Sequence, residues 1–308
     1  MRFDDRREAE ITKSEFDEVQ SANAGLQLLL ALEEKLDLVL ANYLEYEREL
    51  LRLALDHLVW GASKWSTHRA ARHAVNLRII NFLSTTRLYL DQVSHDLVAL
   101  FGKDSAETQE VEAARRAEYD SSLAFRVLEA LRNHVQHRAM AVHELAFPIL
   151  LDSDAEPMTA QYSVVPFLHV AKLADDSSFK KSVLAELCES GPETSLTPLI
   201  RAYVASLGRI HTIVRRLTKR SLSRWEQVID RMIKRAHEVF GDDLSLLAIS
   251  VEIPNNPVVA SYLVHQVSSE LRAFRSRSTR RDDLDLRYVA SEPPRVARKR
   301  RKPHSPTG

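Results

Sequence analysis

Residues 24–58 read AGLQLLLALEEKLDLVLANYLEYERELLRLALDHL, and the spacing of apolar side chains in that stretch decides the fold class. Leu29, Leu32, Leu36, Val39, Tyr43, Tyr46, Leu50 and Leu53 follow one another at steps of three and four residues, the period of one helix face. Leu28, Leu40, Leu44, Leu51 and Leu55 widen the stripe beyond a two-position seam. The expected helix therefore packs in a bundle, or against a partner subunit, rather than standing alone as a coiled coil. Trp60 and Gly61 mark its expected end.

Working outward, a second helix is expected over residues 66–101, with Ser66 or Thr67 able to cap its first amides and Gly102 suited to close it. One of its faces reads Leu77, Asn81, Ser84, Leu88, Asp91, His95. Those polar groups either line a cavity or form a wet face opposite Ile79, Ile80, Leu83 and Leu90. A third helix is expected to begin after Asp104 and Ser105 and to continue unbroken through Leu128 and Leu131 to His137. Pro148 and the run Asp152-Ser153-Asp154 then signal an exit from the helix, which defines a core module at 21–147 behind a charged segment at 1–20.

The remainder, 148–275, reads as a further mostly helical region. Residues 161–171 are β-branched but carry Pro166, which predicts an edge strand or extended loop rather than a central strand. A short helix at 179–188, two separate helices at 197–217 and 223–240, a strand within 246–253 and one more helix over 258–274 complete the reading. From 276 to 308 Arg, Ser and Pro dominate, and a basic, disordered tail is expected. The fold class is thus all-α for the most part, with one or two short strands.

Composition agrees with this reading. Seven glycines in 308 residues, with neither a GxGxxG nor a GK[ST] sequence, argue against a phosphate-cradling α/β enzyme. The single Cys188 cannot close an intramolecular disulfide, and no Cys/His set has zinc-site spacing, so no metal or other cofactor is expected. No apolar run approaches the ~18 residues of a membrane span, and the charged N-terminus lacks a leader-like core, so a cytoplasmic protein without membrane contact is expected. Net charge is zero, yet twelve Lys or Arg against four acids fall between Arg272 and Lys302. Such a tail suits phosphates or an acidic partner, or is simply solvated.

The segment Arg132-Asn133-His134-Val135-Gln136-His137 carries the most chemical content. In a helix Arg132 shares a stripe with Phe125, Leu128 and Val135, so its guanidinium must snorkel, pair with an acid such as Asp91, or bind an anion. Asn133 and His137 are four residues apart, on a neighbouring face where an amide can orient an imidazole. His134 and His137 alone lack a third metal ligand at helical spacing.

The pattern Arg, Asn, three residues, His resembles the R-x4-6-H motif of the HEPN superfamily, helical-bundle proteins many of which are metal-independent ribonucleases. The resemblance covers residues 25–147. It implies that Arg132 binds the scissile phosphate, Asn133 supports its geometry and His137 acts as general acid or base, with Asn81, Arg87, Asp91 and His134 in support. It also implies RNA cleavage by the 2′-hydroxyl, leaving a 2′,3′-cyclic phosphate, and a role as a defence or toxin component met by an antitoxin or regulatory protein. Positions five apart in one straight helix lie about 140° from each other. HEPN-like nucleases bring two motifs together by dimerisation, so a homodimer is expected.

Two other readings compete. One is a non-catalytic HEPN-like module that binds RNA or protein; the other is a plain helical scaffold with an accidental motif. A basic set at Arg215, Arg216, Lys219 and Arg220, with Arg209 and Arg224 nearby, is a candidate RNA-backbone surface or a solvated helix face.

Overall fold

The computed structural model describes residues 8–61, 65–153, 158–241, 248–251, 259–263, 265–277, 283–287 and 289. Most of the basic tail, from 278 onward, lies outside them. The chain is mostly α-helical with a few short antiparallel strands, as the periodicity predicts. Among the described residues no helix is long and apolar enough to cross a membrane.

α1 spans Lys13–Trp60 and begins eleven residues before the expected start, inside the segment read as merely charged. A reciprocal cap starts it there. Thr12 Oγ1 accepts from the Glu15 N–H at 3.2 Å, while the Glu15 carboxylate accepts from the Thr12 N–H at 2.7 Å. Phe16, Val19 and Ala22 then extend the buried stripe, and all eight residues from Leu29 to Leu53 at steps of three and four are buried. Leu44, Leu51 and Leu55, which widen the stripe, are instead exposed. The helix ends at Gly61, whose φ of 69° suits a residue without Cβ.

α2, Trp65–Phe101, packs back against α1. Leu77, Asn81, Ser84, Leu88 and His95 are exposed while Ile79, Leu83 and Leu90 are buried, so the polar stripe is a wet face and not a cavity lining. The expected third helix is two. α3 spans Ala106–Ser121 and α4 spans Leu123–His137, with Ser122 extended between them at φ −109° and ψ 110°. Ser122 Oγ caps the Phe125 N–H at 3.2 Å, offering the backbone an alternative to the helical bond. The break separates a polar helix lying on the surface from an amphipathic one driven into the core.

After His137 the chain leaves helix entirely. β1 (Glu144–Ala146) pairs antiparallel with β4 (Val165–His169), which pairs with β5 (Glu193–Ser195); β2 (Ile149–Asp152) and β3 (Thr159–Tyr162) form a separate hairpin. β4 is therefore a central strand despite Pro166. The conflict resolves in the register: β5 pairs only with Phe167–His169, so Pro166 has a neighbour on one side alone, opposite Leu145. α5 (Val170–Ala174) and α6 (Lys181–Glu189) follow β4.

α7 runs continuously over Leu196–Phe240, where two helices were expected. No glycine or proline interrupts 218–222. Thr218 and Leu222 are buried, and the Thr218 hydroxyl donates to the Val214 carbonyl at 2.9 Å. β6 (Ala248–Val251) and β7 (Val259–Tyr262) pair antiparallel as a further two-stranded sheet, so the expected helix over 258–274 starts late, as α8 (His265–Arg277).

α7 packs on both α1 and α4, and among the described residues one hydrophobic core extends from Phe16 to Leu271. The expected division at 147/148 therefore does not separate two cores. Where α1 and α7 cross, a Cβ on Gly25 would lie 2.5 Å from three Trp225 ring atoms, so only glycine allows the approach. A buried polar network ties the same helices together. Glu33 on α1 accepts from His211 at 3.1 Å, from Arg215 Nε at 2.9 Å and from Arg275 Nε at 3.0 Å, and Tyr89 Oη lies 3.1 Å from the other nitrogen of His211.

Candidate functional site

α4 owes its orientation to a strong amphipathic pattern. Ala124, Phe125, Val127, Leu128, Leu131 and His134 are buried, and the Phe125 ring meets Tyr203 of α7 edge-on at 4.9 Å. Asn133, Gln136 and His137 face solvent. On a helical wheel Arg132 and His137 border this solvent face on opposite sides, about 140° apart, with Asn133 and Gln136 between them. His137 is the last residue of α4 and Arg138 its C-cap, so no bend brings the two side chains of one chain together.

Arg132 is half-buried at the edge of the Phe125–Leu128–Val135 stripe. Its Nη1 donates to Asn133 Oδ1 at 3.0 Å. Its Nε is buried with no hydrogen-bond partner, and no carboxylate lies within ion-pair distance of it among the described residues. The sealed Nε is not reachable from solvent, but the Nη side of a half-buried guanidinium at the rim of a solvent face is suited to an anion.

The supporting residues are only partly gathered. Arg87 on α2 is 2.8 Å from Asp91 and 3.5 Å from Glu129 of α4, and Glu129 in turn accepts from Tyr203 Oη at 2.6 Å. Asp91 therefore serves Arg87, and the pairing of Arg132 with Asp91 considered from the sequence does not occur. Asn81 is exposed on α2, between Arg87, which reaches Glu129, and Asn76, which reaches Val142. His134 points inward, 4% exposed, with Nδ1 2.7 Å from Asp176 Oδ2.

The basic set on α7 is dispersed. Arg215 is drawn into the buried Glu33 network, Arg216 pairs with Glu110 and Arg209 with Glu118, while Lys219 and Arg220 are exposed. The contact between α4 and α7 at Tyr203 lies thirteen residues before Arg216, about 20 Å along the helix. This patch and the 132–137 segment are not brought into one site.

Several functional-looking groups escaped sequence reasoning. Asp176 accepts from the Ser178 hydroxyl at 2.6 Å and amide at 2.9 Å as well as from His134. These bonds, Ser178's foremost and then His134's, hold its carboxyl down to about 2. Asn76, buried on α2, both accepts from the Val142 N–H at 2.8 Å and donates to its carbonyl at 3.4 Å, which pins the chain just after α4. His143 is lowered to about 4, chiefly by burial and next by Lys172 and His169; its Nδ1 accepts from the His169 N–H at 2.9 Å.

Glu144, His169 and Glu193 meet on three neighbouring strands, with His169 Nε2 3.0 Å from Glu144 and 3.8 Å from Glu193. Among the described residues, these are the side chains grouped closely enough to ligate a cation. A half-buried imidazole between two exposed carboxylates accounts for the same arrangement. The residues stand 25 and 24 positions apart along the chain, so only strand register could reveal them. Comparison of the chain with protein-family models, with curated proteins and with solved structures found no match.

Proposed function

We propose that this chain is a metal-independent endoribonuclease of the HEPN type, acting as a homodimer, with Arg132, Asn133 and His137 at its reacting centre. The observation that carries the reading is Arg132: a half-buried guanidinium with no carboxylate partner among the described residues and with its Nη1 oriented by Asn133, on the border of an open helix face that ends at an exposed imidazole. A core arginine of purely structural purpose is expected to be paired, as Arg126 is with Glu186 at 3.2 Å and Arg201 with Glu47 at 2.7 Å.

The chemistry follows from these groups. A phosphodiester seats two of its oxygens on the guanidinium. An imidazole removes the 2′-hydroxyl proton as the 2′-oxygen bonds to phosphorus, and Arg132 offsets the charge growing on the phosphorane. The bond from phosphorus to the 5′-oxygen breaks and a proton is delivered to the leaving oxygen. The products are a 2′,3′-cyclic phosphate and a free 5′-hydroxyl. One imidazole cannot serve both faces of an in-line displacement at once. Two copies of α4 facing each other supply both a base and an acid, and also answer the angular separation of Arg132 and His137.

The experiment is cleavage of single-stranded RNA in EDTA, with the 3′ ends mapped and the oligomeric state measured by light scattering. Cleavage that leaves cyclic phosphate ends and is lost in Arg132→Ala and in His137→Ala supports the proposal. RNA binding that depends on Arg132 without any cleavage replaces it with the binding-module reading, and neither activity leaves a scaffold.

A further inference from the structure

The last turn of α4 is gripped by a side chain distant in sequence from the motif. Asp176, in the turn between α5 and α6, is buried, and its carboxylate faces an imidazole on α4 and the guanidinium of the α4 C-cap residue. Oδ2 lies 2.7 Å from His134 Nδ1 and Oδ1 lies 3.5 Å from Arg138 Nε, while the Ser178 hydroxyl and amide fill the rest of Oδ1. Because the acceptor is a carboxylate, His134 Nδ1 carries the proton in this contact. His134 and Arg138 are four residues apart, one above the other on the helix, and His137 stands in the turn between them.

We infer that Asp176, acting through His134 and Arg138, is a positioning residue that sets the place of the His137 imidazole for the phosphoryl step; the inference rests on the nuclease reading above. The final carbonyls of a helix lack intrahelical donors, and a helix end is where local opening costs least. A single carboxylate that holds two successive turns removes that freedom at the residue where the chemistry needs it least. Among the described residues His134 Nε2 is buried with no hydrogen-bond partner, so no onward proton path is seen from the pair. Its effect is on geometry.

The test uses the full chain with Asp176→Asn, and with Ser178→Ala as a milder variant that folds if the first does not. Gly25→Ala, remote from α4 and destabilising for a separate reason, serves as a stability control. Asp176→Asn is expected to lower kcat on a single-stranded RNA oligonucleotide about 10- to 100-fold while KM moves less than about twofold. It is also expected to speed amide exchange at Arg138 and Ala139, whose N–H groups bond to the His134 carbonyl at 2.8 and 3.3 Å. Ser178→Ala shifts both readouts in the same direction by less, and Gly25→Ala shifts neither beyond its global loss of stability. Unchanged exchange at Arg138 and Ala139, or a kcat no lower than that of the control, overturns the inference while leaving the nuclease reading intact. A wild-type chain that does not cleave RNA sinks the nuclease reading and the catalytic part of this inference together, whereas the exchange data still report whether Asp176 holds the helix end.

Discussion

Replacing Glu33 by glutamine keeps the shape of the side chain and removes the charge on which three helices converge. The Glu33 carboxylate is 3% exposed and accepts from His211, from Arg215 and from Arg275. Burial pushes this carboxyl up, but hydrogen bonds from His211 and Arg215 outweigh it and hold it well below the usual carboxylate range. In Glu33→Gln the two guanidinium groups lose their anion, and an amide NH2 replaces one acceptor. Breaking a buried ion pair by removing one partner costs about 3–5 kcal/mol. Arg215 and Arg275 keep about a fifth of their side chains in solvent, which puts the cost near the lower limit, about 3 kcal/mol. For a chain of this size that corresponds to a fall in Tm of roughly 5 °C.

The pH dependence has a definite sign. The folded pKa lies below the ordinary carboxyl value of 4.5, so the unfolded chain binds the proton more readily. The contribution of Glu33 is therefore complete above about pH 4.5 and disappears as the pH falls toward its folded pKa, where the wild-type and Glu33→Gln curves should converge. Urea unfolding followed by far-UV circular dichroism and tryptophan fluorescence, at pH values from 7 down to 3, measures both effects. A stability difference below about 1 kcal/mol at pH 7, or one that stays constant into acid, refutes the reasoning, because a solvated carboxylate would behave in that way.

Further outcomes follow from other contacts. Gly25→Ala should destabilise the chain by about 1–3 kcal/mol through its collision with Trp225, and a smaller residue at 225 should recover part of the loss in a double-mutant cycle read by thermal melting. Asn76→Ala should cost about 2–3 kcal/mol in the same assay, since it leaves both backbone polar groups of Val142 unpaired in a buried place. Arg132→Lys should retain RNA binding in a filter assay but lose cleavage about 10²-fold or more, because an ammonium cannot reproduce the planar fork that holds two phosphate oxygens; undiminished cleavage would remove Arg132 from the proposed mechanism. Thr12→Ala should lower stability by about 1 kcal/mol by removing the cap that starts α1.

The long helices were legible because burial repeats along them at the helical period. Every residue of the 29–53 stripe is inside, and the face of α2 that mixes leucine with polar groups is outside. The errors fell where two local preferences were nearly balanced. Ser122 breaks a run that reads as one helix because its hydroxyl can replace a helical hydrogen bond, and 218–222 continues one that reads as two because nothing there forbids helix. The three-stranded sheet was hidden by Pro166, which is tolerated only because β5 stops short of it.

The Arg132–His137 segment could be singled out from residue types and spacing, and Arg132 does sit at the margin of the apolar stripe as the wheel requires. Its company could not. Asp176 lies 42 positions from His134, and Glu33 lies 178 positions from His211.

Local spacing by itself determined that this chain builds long amphipathic helices and that one of them carries an arginine and a histidine on its surface, because a helix repeats within four residues and its solvent face is encoded in that repeat. Only the tertiary structure decided that His134 turns inward while His137 stays exposed, that α7 joins both halves around one core, and that the end of α4 is clamped by Asp176. Those outcomes depend on which distant side chain supplies the missing hydrogen bond or covers the apolar face, and no window along the chain contains both partners.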